Sequence, residues 1–214
     1  CQDDLNRISG ELAGCAGDTA LALSIISDNN FFMEVKKNYD PSMVTGFIRL
    51  NGTTIGCVAN RTEIYENGEK KETFEPVLSG KGCDKATDFI HFCDAFNIPV
   101  LTLVNVKGYK ACKCTERRIA KNAGRLTYAF ANASVPKVTV VVGEAYGTAY
   151  LTMNSKSIGA DVVYAWSNAT IGMMDASAAA KIMYADEIAK ADDSVALINE
   201  KAAAYREMQS SALA

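Results

Sequence analysis

Residues 135–153, VPKVTVVVGEAYGTAYLTM, constrain this chain more than any other stretch, because a β-branched run meets a glycine-bearing turn and then an apolar helical pattern. Pro136 favours an extended residue before it, and Val138, Thr139, Val140, Val141 and Val142 form a continuous run suited to a strand buried on both faces. Gly143 and Gly147 let the backbone turn tightly. A helix starting near Thr148 leaves its first N–H groups without intrahelical partners, aimed into the space above the strand, where negative charge is favoured. Read locally, such a junction can also serve packing alone. The spacing Gly143-x-x-x-Gly147 is not the dinucleotide GxGxxG, and no GK[ST] is present. Thr148 and Ala149 stand where a nucleophile elbow needs serine. The functional reading left is a backbone anion hole, which stabilises an enolate or oxyanion without a titrating side chain.

Composition narrows the rest. A chain of 214 residues, 49% apolar, buries a substantial core as one domain. The net charge of −3 gives no reason to expect nucleic acid, and no basic amphipathic helix suggests a membrane surface. No run reaches the length of a membrane span and no signal peptide opens the sequence, so the expected compartment is the cytoplasm, with no direct membrane insertion. Seven cysteines (Cys1, Cys15, Cys57, Cys83, Cys93, Cys112 and Cys114) lack disulfide-like regularity and read as free thiols. Cys112 and Cys114 form a CxC that could bind metal or react, but no second Cys or His pair completes a tetrahedral site; it reads as two exposed loop thiols, and no metal is expected. The one histidine, His91, falls off the apolar face marked by Ala86, Phe89, Ile90, Cys93 and Phe96. That disfavours Ser-His-Asp and Cys-His hydrolysis.

In chain order, residues 1–17 read as a lead-in, and Asp18 as the cap of a helix through TALALSIIS. Two β-rich arms meet at Asn51-Gly52, a strong hairpin signal, and Asn67-Gly68 offers a second turn in an exposed excursion over 61–82. A helix over 84–96 is followed by a buried strand over 100–106, which ends at the turn Lys107-Gly108-Tyr109. An amphipathic helix over 116–133 leads into the opening stretch, whose helix should run to about Ser157. Short strands over 161–166 and 170–174 precede alanine-rich helices over 176–183 and 195–206, separated at Asp192-Asp193. The alternation of strand and helix argues α/β.

The succession VTGFIRLNGTTIGCVAN, FCDAFNIPVLTLVNVKGY, ANASVPKVTVVVGEAYGTAYLTM and DVVYAWSNATIGMM resembles the carboxyl-terminal domain of biotin-dependent acyl-CoA carboxyltransferases. The resemblance covers residues 18–214 in order and spacing. It implies a crotonase-like (ClpP/crotonase) spiral of ββα units. It also implies a reaction in which carboxybiotin gives up CO2, the biotin enolate takes a proton from the carbon α to the thioester, and the acyl-CoA enolate captures CO2. The protein's part is positioning and enolate stabilisation by backbone N–H groups. By resemblance Gly147, Thr148 and Ala149, with Tyr146 beside them, bind the biotin side, and the Gly108-Tyr109 turn lies nearby. Biotin would come on a separate carrier protein or domain, and coenzyme A as part of the substrate. The further expected partners are an amino-terminal carboxyltransferase domain and other copies of the chain in a homo-oligomer.

Departures from the family pattern bear on this reading. The usual Ala-Tyr-Gly-Gly-Ala-Tyr has Thr148 for its second glycine, so a backbone donor is kept there only at negative φ. The usual Pro-Gly-Phe turn is Lys107-Gly108-Tyr109, followed by the more basic loop KACKCTERR. Leu151 occupies the position that helps select the acyl chain. The family's amino-terminal domain and a later Gly-x-x-Asp segment are absent from this sequence, so the expectation is an excised domain that does not transfer carboxyl groups alone. Two other readings stay open, a subunit of a biotin-dependent acyl-CoA decarboxylase and a non-catalytic assembly domain.

Overall fold

In a computed structural model of the chain, residues 3, 4, 6, 7, 9–191 and 193–212 are described; Cys1 and Asp192 lie outside them. Asp18 accepts the Leu21 N–H and caps α1 (Thr19–Ile26), the cap expected from its position. The chain then forms β1 (Met33–Glu34), β2 (Met43–Leu50) and β3 (Thr53–Asn60). Asn51 and Gly52 take φ of 51° and 79°, the left-handed pair that a two-residue hairpin needs, and Leu50 faces Thr53 across it. Asn67 and Gly68 repeat the device between β4 (Glu63–Glu66) and β5 (Glu69–Thr73), an exposed hairpin as expected.

After β6 (Val77–Leu78), α2 (Gly80–Ala95) begins four residues before the expected start at Asp84. Ser79 accepts the Gly82 N–H at 2.8 Å, and Gly82 lies so close to Met43 that a Cβ there would be 3.2 Å from it. Close approach to β2 outweighs the poor helix propensity of two glycines. Phe96 falls beyond the helix end and is 65% exposed, stacked on Phe92, so it does not belong to the buried face as expected. β7 (Val100–Val106) leads to β8 (Gly108–Tyr109), then to α3 (Lys113–Glu116) and α4 (Ile119–Asn132). The single helix expected over 116–133 is therefore broken at Arg117 and Arg118.

The last third holds β9 (Lys137–Tyr146), α5 (Gly147–Thr152), β10 (Val162–Ala165) and β11 (Thr170–Gly172), then α6 (Ala176–Met183), α7 (Ala185–Lys190) and α8 (Ser194–Tyr205). α5 stops well short of Ser157, because Asn154 turns left-handed (φ 58°) and its amide and carbonyl both bond the Thr139 hydroxyl, folding the chain back over β9. Asp193 ends the acidic break by capping α8.

Seven strands form one sheet in the order β1-β2-β3-β7-β9-β10, with β11 pairing the far half of β9. β3, β7, β9, β10 and β11 run parallel, and β1 and β2 form the antiparallel margin. This is the α/β class expected. On one face α2 and α4 bury Leu126, Phe130, Ile90 and Cys93 against Val58, Val104 and Val141. On the other, Leu23 of α1 joins Val44, Ile48, Cys57, Leu103 and Val142. Val138 and Val140 are only partly buried there, so β9 is not covered fully on both faces.

Two buried charges at the antiparallel margin were not legible in the sequence. Arg61 pairs with Glu34 at 3.1 Å, their side chains 2% and 11% exposed. Lys85 is 1% exposed, and its ammonium donates to the carbonyls of Met43 (2.6 Å) and Asp40 (3.4 Å).

Candidate active site

β7 and β9 are parallel neighbours, so the turns that follow them open at the same edge of the sheet. Their ladder shifts between Val104 and Val106, beside Asn105. That side chain accepts the Glu144 N–H at 3.0 Å, while the Asn105 N–H donates to the Asn60 side chain at 3.2 Å. Gly143 is required here: a Cβ on it would lie 2.6 Å from the Asn105 oxygen. The Asn60-Asn105-Glu144 relay, which sequence reasoning missed, thus sets the path of β9 just before its turn. An Asn inside the apolar run VLTLVNV was the available signal.

At the end of β9 the chain enters α5 through Gly147, whose φ is +56° and whose missing Cβ would sit 3.0 Å from the Met173 carbonyl oxygen. Both features disfavour a side chain at 147. Thr148 is absent from the positive-φ positions and is exposed, so its backbone takes an ordinary helical entry. No side chain caps α5, and the N–H groups of its first turn have no intrahelical partners. Ala149 is buried beneath them, and Leu151 is 41% exposed one turn along.

The second turn expected at Gly108-Tyr109 is a short strand instead. Gly108 and Tyr109 pair in parallel with Val77 and Leu78, which satisfies backbone groups that a free turn would leave to water. Tyr109 is nevertheless brought to α5. Its hydroxyl lies 3.0 Å from the Thr152 hydroxyl, which donates to the Thr148 carbonyl at 2.9 Å, so the Tyr109 hydroxyl donates to Thr152. Tyr146 is 3% exposed, its hydroxyl donates to Thr170 at 3.0 Å, and burial raises its pKa. Its side chain is thus committed to the sheet edge, and only its backbone reaches the turn.

Residues 4–213 match the carboxyl transferase domain family. The chain belongs to that family. This carboxyl transferase domain is 38% identical over 190 residues to the methylmalonyl-CoA carboxyltransferase 12S subunit of Propionibacterium freudenreichii subsp. shermanii, covering 88% of the chain and 34% of the relative. It is 36% identical over 213 residues to the methylmalonyl-CoA decarboxylase subunit alpha of Propionigenium modestum, covering 96% of the chain and 40% of the relative. The crystal structure of the transcarboxylase 12S hexamer core with methylmalonyl-coenzyme A and methylmalonic acid bound aligns with a TM-score of 0.77 at 35% identity, over 97% of this chain and 37% of that one. The domain therefore spans little more than a third of the length of these relatives, and its α/β fold is crotonase-like, as the resemblance implied.

The domain's other reactive groups lie away from the turn or are inert. His91 is exposed on α2. Burial pushes the Cys83 and Cys93 thiols up to about 12 and raises Cys57 further. Cys112 stands before α3 with its sulfur 3.1 Å from the Thr115 hydroxyl, which lowers its pKa, and Cys114 is exposed within α3. The six described cysteines are free thiols, as expected. Among the described residues no group of three or more His, Cys, Asp or Glu side chains could hold a metal ion, and no helix is long and apolar enough to cross a membrane.

Proposed function

We propose that this domain forms the biotin side of an acyl-CoA carboxyltransferase, with the backbone N–H groups of Gly147, Thr148 and Ala149 directed at the ureido oxygen of biotin. The observation that supports this reading is the division of labour at the turn. Gly147 carries the left-handed backbone and the close approach to Met173, which frees Thr148 to keep a negative φ. The family's second glycine is dispensable for that geometry, and the exposed uncapped turn fits an oxygen that gains negative charge.

Biotin, delivered on a carrier, would supply the transferable carboxyl group and the basic ureido oxygen. The chain's own residues hold and orient. Tyr109, through Thr152, fixes the carbonyl of Thr148 and with it the first turn of α5. The relay through Asn105 fixes the approach of β9, and the pairing of Gly108 and Tyr109 with Val77 and Leu78 holds β8. Leu151 offers an apolar contact to the acyl group of a short-chain acyl-CoA. Each donor aimed at a developing oxyanion contributes about 2.7–4 kcal/mol of transition-state stabilisation. The decarboxylase-named relative breaks the same type of bond in the opposite direction, so the proposal is for the step both share.

The wider assembly belongs to the same proposal: residues 18–214 as the carboxyl-terminal domain, a separate amino-terminal domain that holds most of the coenzyme A, and several copies of each in a cytoplasmic oligomer. The test is transfer of labelled carboxyl from carboxybiotin to propionyl-CoA or acetyl-CoA by the native protein. Acid-stable label in the acyl-CoA supports the proposal, and label that leaves only as CO2, at a rate indifferent to acyl-CoA, contradicts it.

A further inference from the structure

Residues 107–121 carry Lys107, Lys110, Lys113, Arg117, Arg118 and Lys121 against one carboxylate, Glu116, and so are positive by five in a chain whose net charge is −3. The structure leaves all six cations exposed, on either side of β8, on α3, between α3 and α4, and in the first turn of α4. None makes an ion pair among the described residues, whereas Arg125, one turn further along α4, is held by Asp84 at 2.9 Å. Asp84 also accepts from Asn122, so the nearest carboxylate on α2 is already engaged. Glu75, next to the residue that accepts the Lys107 N–H, is exposed and forms no ion pair among the described residues.

The position of this surface is as telling as its charge. It begins just before β8, whose Tyr109 reaches α5 through Thr152, and it continues through α3 into α4. A group delivered to the Thr148 turn on a flexible arm brings its carrier over the ground next to that turn. Concentrated charge of one sign steers and orients such an encounter, adding more to association rate and specificity than to each contact.

We propose that residues 107–121 form the docking face for an acidic surface of the protein that carries biotin, a surface with an excess of Asp and Glu around its biotinyl-lysine. This rests on the reading of the Thr148 turn as the biotin side. The sequence outside this stretch is net negative, so an acidic carrier is drawn to it. Six exposed cations, each contributing a factor of about two when paired at the surface, suffice for roughly a tenfold preference that salt removes.

The experiment measures binding of three lysine-linked biotinyl peptides of equal length to the chain, one rich in Glu, one in Gln and one in Lys, with free biotin as reference. The expected result is that the Glu peptide binds about tenfold more tightly than the Gln peptide at low salt and the Lys peptide more weakly still. That advantage should vanish in 0.5 M salt, a concentration at which the screening length is about 4 Å. It should fall to about threefold in Lys113→Gln/Arg117→Gln/Lys121→Gln, which keeps three of the six cations and whose affinity for free biotin is unchanged; the corresponding Glu triple variant should reverse the order. Equal binding of the Glu and Gln peptides, or an advantage undiminished in the Gln variant, overturns the docking face. Displacement of the Glu peptide by coenzyme A while the Gln peptide stays bound also overturns it, by assigning the cations to phosphates. If free biotin and every peptide fail to bind, the underlying reading of the turn has failed as well, and the free-biotin arm tells that case apart.

Discussion

Replacing Gly147 by Ala tests the geometry of the turn at its tightest point. An alanine at φ +56° meets the left-handed penalty of about 1–2 kcal/mol. Its Cβ would also lie 3.0 Å from the Met173 carbonyl oxygen, and that carbonyl cannot retreat freely because Gly172, just before it, pairs with Tyr146 in the β9–β11 ladder. Together these set a loss of about 2–3 kcal/mol. Thr148→Gly is the control. Its φ is already negative and its side chain exposed, so the change costs only the difference in helix propensity, about 0.5 kcal/mol. Urea unfolding of the two variants beside the wild type gives both numbers. A Gly147→Ala variant within 0.5 kcal/mol of wild type, or a Thr148→Gly variant less stable than Gly147→Ala, would refute the assignment of the special backbone to residue 147.

Three further outcomes follow from buried or perturbed groups. Glu34→Met or Arg61→Met alone should cost about 3–5 kcal/mol by leaving a buried charge unpaired, while the two changes together recover most of it, as measured in a double-mutant cycle. Burial lowers the Lys85 pKa to about 8, below its ordinary 10.5, so the unfolded chain binds the proton more tightly between those values and stability attributable to Lys85 rises with pH across that window. Wild type should accordingly gain about 2 kcal/mol on Lys85→Met between pH 8 and pH 10, and a flat difference would count against the buried cation. Among the described thiols Cys112 should react first with a maleimide near neutral pH, because Thr115 favours its thiolate, and Cys83 and Cys93 last; labelling of either buried thiol first in native protein contradicts this.

What the sequence made legible was local. The Asn-Gly hairpins, the Asp18 cap and the valine run of β9 each announce themselves within a few residues, because turn chemistry and strand period act at that range. Helix ends were less legible. α2 starts early because Met43, far away in sequence, needs Gly82 beside it, and α5 stops early because Asn154 returns to Thr139. The site divides the same way. Gly147 stood out as a turn glycine, but its positive φ was not assignable from a pattern that the family fills with two glycines. The Asn60-Asn105-Glu144 relay depends on the register of β3, β7 and β9, which no single-strand pattern encodes. Tyr146 shows the converse: adjacency in sequence to the turn did not place its side chain there, because the period of a strand sent it to Thr170.

The most direct measurement follows the backbone amide resonances of the chain while biotin is added. Shifts centred on Thr148 and Ala149, with a smaller response at Tyr109 through its bond to Thr152 and none at the exposed His91, are the expected result. Binding of biotin that leaves Thr148 and Ala149 unmoved, or no response at any of these amides, would contradict a backbone donor site at this turn.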